Sequence, residues 1–225
     1  MVRGPPRVTP ALQIIVTAPV VSFRDRLYDG VQAALPCPPP STVGGFLASA
    51  VGGWQWMPPG TRFAMAFTAA GGGIDLETYH PLDARGTASD PAPRERPFLA
   101  DVALAIWLVS DLELWEAAMR RPVWPVRLGR SQDLASARAS RVILETGTGI
   151  QRQAIVPADL TEAGTLLRLP TAISEDRSQT RWGEYRYASS GGNRVINGDY
   201  VTANGQAVAF LPPTHPSSLE PAAAR

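Results

Sequence analysis

Apolar positions change period several times along the chain, and each change marks an element. Ala11 to Phe23, "ALQIIVTAPVVSF", is β-branched and short of charge, which predicts a central strand broken by Pro19. Thr42 to Val51 carries apolar residues at helical spacing; Ser41 before it is a good N-cap, and Gly52-Gly53 offers the left-handed stop. Thr61 to Ala69 alternates as a half-buried strand, Gly71 to Gly73 predicts a bulge or bend, and Ile74 to His80 resumes extended structure. From Pro81 to Pro97 the chain is polar and shows no apolar face, which predicts an insert, either a loop or an exposed hairpin. Phe98 to Val109 is a second strongly buried strand. Asp111 then caps a helix through Arg121 with Leu112, Trp115 and Met119 on one face, and Pro122 to Gly129 returns to strand. Strand, helix, strand, strand, helix, strand is the split βαβ order of a ferredoxin-like α+β fold, here with a polar insert between its two central strands.

The remainder differs in kind. Arg141 to Gly149, Gln151 to Pro157, Thr165 to Pro170 and Thr180 to Ser190 are short strands, with one helical turn at Ala158 to Glu162. Asp199 to Phe210 predicts a hairpin turning at Asn204-Gly205. The expected division is therefore a ferredoxin-like part over 1–138 with its insert at about 81–97, a β-rich part over 139–211, and a flexible tail over 212–225.

Composition narrows the chemistry. The chain has 225 residues, 44% hydrophobic, with a formal net charge of +1, and all 21 of its basic residues are arginine. Arginine suits planar, bidentate contact with phosphate, although GC-rich coding yields the same absence of lysine. No apolar run is long enough to span a bilayer, and the start "MVRGPPRVTP" has no apolar signal core, so the expectation is a cytoplasmic protein without a membrane partner. A lone Cys37 excludes a disulfide framework, and His80 and His215 stand too far apart to suggest a metal site; no cofactor is expected. Acid–base cleavage of RNA would have only His80 and a tyrosine such as Tyr28 or Tyr79 to draw on.

The arginines fall in three loop groups: Arg24 and Arg26 after the first strand, Arg127 and Arg130 around "VRLGRS", and Arg85, Arg94 and Arg96 on the insert. Gly44-Gly45 lies inside the first helix, where each glycine costs about 1 kcal/mol relative to alanine. Something approaches that turn closely. A packed neighbour and a phosphate at the helix start are the two readings.

Val20 to Gly53 and Trp124 to Ala135 resemble the Cas-five family of CRISPR-associated proteins, subunits of type I Cascade complexes. The resemblance is carried by Ser22-Phe23-Arg24, Pro40-Ser41-Thr42-Val43-Gly44 and Leu128-Gly129-Arg130. It implies a modified RRM-like domain with a thumb hairpin, formed by the polar insert, and a smaller β-rich part. Such proteins cap the crRNA at its five-prime handle, beside the large subunit and the first backbone subunit, and meet target DNA only indirectly. The positions put forward for RNA contact are Arg24, Arg26, Ser41, Thr42, Gly44, Arg127, Arg130 and Ser131, with Arg85, Arg94 and Arg96 on the thumb. One branch of the family, in type I-C systems, cleaves pre-crRNA with tyrosine, lysine and histidine. The absent lysine favours a non-catalytic role here; a metal-independent endoribonuclease and an RNA-free scaffold subunit are the alternatives.

Overall fold

The computed structural model describes residues 7–25, 27, 33–79 and 90–219, with the backbone alone at Tyr79 and Ala92. Its spine is β1 (Val8–Val21), where Leu12, Ile14, Val16 and Ala18 point into the core while Gln13, Ile15 and Thr17 face the other way. The strand runs unbroken past Pro19. Its second neighbour, β4 (Ser136–Glu145), pairs only as far as Thr17, so the missing proline N–H falls where β1 has one partner rather than two.

Helix α1 (Pro40–Val51) follows β1 but is not capped by Ser41. Pro39 is the extended N-cap residue, no side chain caps it, and Pro40 opens the first turn, where a proline leaves no donor unsatisfied. At the other end Gly52 (φ +104°) is left-handed, and the N–H groups of Gly52 and Gly53 close onto Ser49 O and Ala48 O, as the sequence requires.

Next come β2 (Ala64–Tyr79) and β3 (Ala92–Leu108), a long hairpin in one register from Ala64↔Trp107 to Tyr79↔Ala92. The glycine run therefore makes no bulge. A Cβ on Gly73 would lie 2.9 Å from the Phe98 ring, and one on Gly72 would lie 2.6 Å from the Phe98 carbonyl oxygen, so these glycines admit a cross-strand phenylalanine. Residues 92–97 of the expected insert are ordinary β3, paired with Ile74–Tyr79; His80 and Arg85 lie outside the described residues. The hairpin is also amphipathic. Ile74 opposite Pro97 and Leu76 opposite Glu95 share one face, with Ile74 and Leu76 largely exposed. Asp75 opposite Arg96 and Glu77 opposite Arg94 share the other.

Helix α2 (Leu112–Arg120) buries Leu112, Trp115 and Met119 as its spacing demands, although Asp111 makes no side-chain cap. Pro122 to Gly129 is not the fourth strand. Its only ladder contact is a single bridge from Arg127 to Leu134, and Val123 and Trp124 are exposed. β4 takes that role instead, which gives the strand order β4-β1-β3-β2 with both helices on one face. The boundary expected at 138/139 thus falls inside a strand.

The later strands extend the same sheet from both edges. Beyond β2 lie β6 (Ala154–Pro157), β8 (Thr180–Tyr187) and β7 (Thr165–Ile173); beyond β4 lie β10 (Tyr200–Thr202) and β11 (Ala207–Val208). β5 (Gly149–Arg152) and β9 (Gly192–Ile196) pair separately. The β10–β11 turn closes with Gly205 N–H on Thr202 O and Gly205 at φ +82°, as Asn204-Gly205 foretold. Leu169, Tyr185 and Tyr187 join the same core as the helices. Residues 211–219 are a docked strap rather than a loose tail: Leu211, Thr214, His215 and Pro216 are buried, and Leu211 N–H donates to Phe63 O. No helix among the described residues is long and apolar enough to cross a membrane.

Candidate functional site

The serine-phenylalanine-arginine and leucine-glycine-arginine stretches meet through one carboxylate. Asp133 is 4% exposed; its Oδ2 accepts the backbone N–H of Ser22 at 3.1 Å and that of Arg130 at 2.9 Å. The Arg130 guanidinium closes on the same carboxylate, with Nε 3.0 Å from Oδ1, and reaches Glu77 and Asp75 on β2. Gly129 sits between them at φ +108°, where a Cβ would lie 2.9 Å from both Asp133 Oδ2 and Ser22 O. Ser22 Oγ donates to Pro97 O at 2.8 Å, and Arg96 Nε pairs with Glu77 Oε2 at 2.6 Å. The two stretches are thus a clamp on the distal half of the long hairpin.

This geometry changes the standing of two arginines. Arg130 is 11% exposed and Arg96 is 16% exposed, and both are engaged by carboxylates of the protein itself. Burial works against the Arg130 charge, but the Asp133 and Glu77 carboxylates outweigh it and raise the guanidinium above its ordinary value. The Arg130–Asp133 pair is the loop-shaping contact that the spacing allows. Arg24 differs. It is exposed, it pairs its backbone with Ala34, and it has no ion-pair partner among the described residues; Asp25 accepts instead from the Leu27 N–H at 2.9 Å.

Arg24 opens onto a cleft of about 610 Å³, formed by the head of α1, the turn after β7 and the docked strap. Ser41 and Thr42 line it from the helix, Gly129 from the clamp, and Trp54 and Thr214 from behind. From the far side it receives Arg177, which is exposed, left-handed (φ +62°) and carried by a turn over Ser174 to Gln179. Asp176 shapes that turn by accepting from Ser174 Oγ at 2.6 Å and from the N–H and hydroxyl of Ser178. Those bonds hold its carboxyl at about 2. Glu175 is the one acidic lining residue.

The glycine pair divides. Gly44 is buried, and a Cβ there would lie 2.7 Å from Thr214 Cβ, with Oγ1 nearer still; the strap is its close neighbour. Gly45 has nothing within 4 Å. Gly44 is therefore a packing glycine rather than a contact surface. Of the remaining expected positions, Arg94, Arg127 and Ser131 are exposed but away from the cleft lining, and Arg26 and Arg85 lie outside the described residues. Sequence reasoning missed Arg177, Trp54 and Thr214. A serine-x-aspartate turn signal at Ser174 to Asp176 pointed at the first; nothing local pointed at the other two, which depend on the strap docking.

Comparisons with known proteins converge. The family model described as CRISPR-associated protein (Cas_Cas5) matches residues 11–181. No curated protein sequence matches. Among solved structures, a chain of a CRISPR RNA-guided surveillance complex aligns with TM-score 0.54 and 17% identity over 88% of this chain and 93% of its own. A chain of the type III-B Cmr-beta complex bound to cognate target RNA and AMPPnP aligns with TM-score 0.52 and 8% identity over 82% and 85%. A CRISPR protein from Archaeoglobus fulgidus aligns over 90% and 99% with 13% identity and TM-score 0.47.

Proposed function

The chain belongs to the Cas-five family of CRISPR-associated proteins, and from that premise we propose that it is a non-catalytic crRNA-binding subunit of a type I Cascade effector, capping the five-prime handle. In this reading β1 to β4 with the two helices are the modified ferredoxin-like, RRM-like unit, and the distal β2–β3 hairpin is its thumb. The large subunit and the backbone subunits are its protein partners, and target DNA is met only through the assembly.

The observation that carries the reading is the cleft. Single-stranded RNA is held by cations that neutralise phosphate and by surfaces that take splayed bases. Arg24 and Arg177 bring two exposed guanidinium groups to one opening, and Ser41 and Thr42 add hydroxyls at a helix start, the positive end of the helix dipole. Arg130 is left out of the contact set and supports the site from beneath. The non-catalytic assignment rests on the absence of lysine from the whole chain.

The test is co-purification from the native operon followed by sequencing of bound small RNA. One homogeneous RNA sharing a repeat-derived five-prime end is the expected result; an RNA-free complex containing the subunit would sink the reading. Incubating the purified chain with repeat RNA tests the catalytic alternative, and site-specific cleavage abolished by His80→Ala would replace the proposal with a nuclease.

A further inference from the structure

The sheet face opposite the helices carries a second cleft, also about 610 Å³, whose chemistry is unlike that of the first. Its floor is Ala66 on β2 with Ala103 and Ala105 on β3; one wall is the end of β4 and the other the β10–β11 turn. No lining residue is charged. Around the floor stand neutral polar groups. The side chains of Gln13 and Gln153 make no hydrogen bond among the described residues, and the indole N–H of Trp107, 4% exposed, has no acceptor. A buried donor left unpaired is a standing cost to the fold.

We propose that this cleft receives an extended, uncharged segment of a neighbouring protein subunit. The inference rests on the reading of the chain as a subunit of an RNA-guided complex. Charge complementarity selects the occupant. Each RNA nucleotide brings a phosphate, and a lining without a cation would leave that charge desolvated and unpaired. A peptide brings alternating N–H and C=O groups, which the glutamine amides can both accept from and donate to. A floor of alanines lets that backbone come close, and the volume lies within the range of specific ligand sites, about 300–1,000 Å³.

The experiment reconstitutes the complex from the full chain, crRNA and the neighbouring effector subunits, with a benzophenone side chain in place of the exposed, cleft-lining Thr68. Photolysis is expected to join position 68 to a peptide of another subunit. A charge in the floor, Ala105→Arg, is expected to lower the yield of assembled complex at least about tenfold, a loss of roughly 1.4 kcal/mol, with RNA binding by the isolated chain unchanged. Gln13→Glu, on the central strand β1, guards against a floor variant that fails to fold and is expected to act in the same direction. Cross-linking to RNA, no cross-link in the assembled complex, or full assembly of a folded floor variant would each overturn the inference. A complex that keeps the peptide cross-link but carries no RNA would overturn the proposed function alone.

Discussion

Ser22 and Asp133 stand 111 residues apart in the chain, yet the N–H of one donates to the carboxylate of the other at 3.1 Å. Because Arg130 donates to the same carboxylate and also reaches Asp75 and Glu77, the bond ties the end of β1 to the distal half of the β2–β3 hairpin. Of the family-like residues, Ser22, Gly129 and Arg130 are therefore scaffold.

Arg130→Ala is expected to lower the melting temperature, since hydrogen bonds to charged groups contribute about 1.5–3 kcal/mol and the loss leaves Asp133 short of its cation. Asp133→Ala is expected to act in the same direction. The salt dependence of RNA binding by folded Arg130→Ala should match the parent. A variant that melts normally but has lost one phosphate's worth of salt dependence would return Arg130 to the contact surface.

Gly44 and Gly45 are neighbours with opposite expected responses. Gly44→Ala forces a methyl into Thr214, a small-to-large change of the kind that costs about 1–3 kcal/mol. Gly45→Ala meets nothing and gains helix propensity, about 1 kcal/mol. Thermal melts of the two single variants should fall on either side of the parent. Adding Thr214→Gly to the Gly44 variant should recover part of the loss; destabilisation by Gly45→Ala would mean that a neighbour outside the described residues covers that face.

What the sequence reveals and what it hides follow from where each element's stability comes from. β1, α1, β3 and α2 are legible because their own apolar spacing matches the face they bury. β4 is legible only in its second half, where Arg141 to Glu145 reads as a strand; Ser136 to Ser140 has only alanines for an apolar face and becomes a strand by pairing with β1. Pro122 to Gly129 misleads in the opposite sense: it carries β-branched and aromatic residues, but Pro122 and Pro125 cannot donate to a ladder. The strap is hidden because Leu211, Thr214 and His215 are spaced by loop geometry; His215 Nε2 meets Trp54 O at 2.9 Å across 161 residues. The cleft inherits this pattern, with its helix side readable and its Arg177 side dependent on tertiary contacts.

Arg24 and Arg177 face one opening, and substituting each separately should give the same result. If each neutralises one phosphate, Arg24→Ala and Arg177→Ala should each weaken binding of handle RNA and reduce the slope of log K against log salt by about 0.7. Neither should change the melting temperature, since both side chains are exposed. Glu175→Gln is expected to strengthen binding by removing the cleft's one acidic side chain. Unchanged affinity in both arginine variants would remove the cleft from the RNA path.

The turn that presents Arg177 makes a pH prediction. Asp176 accepts bonds from the Ser174 hydroxyl first, then from the Ser178 N–H and hydroxyl, and these hold its carboxyl at about 2 against an ordinary 3.8. A carboxyl whose folded value is depressed adds stability that is complete above the ordinary value and disappears as pH falls through the folded one. The turn should therefore keep its shape through pH 4, and its local signals should change only near pH 2. Carboxyl-detected NMR titration of Asp176 reads this directly. Ser174→Ala removes the leading bond, so the titration should move up toward 3.8, and the Arg177 amide, which donates to Ser174 O at 2.9 Å, should follow the same curve. RNA binding at neutral pH should survive that substitution, because the carboxylate stays ionised and its Ser178 bonds remain. An Asp176 that titrates near 3.8 in the parent would show that the hydroxyl bonds do not persist in solution, and with them would go the reason for Arg177's left-handed place at the cleft.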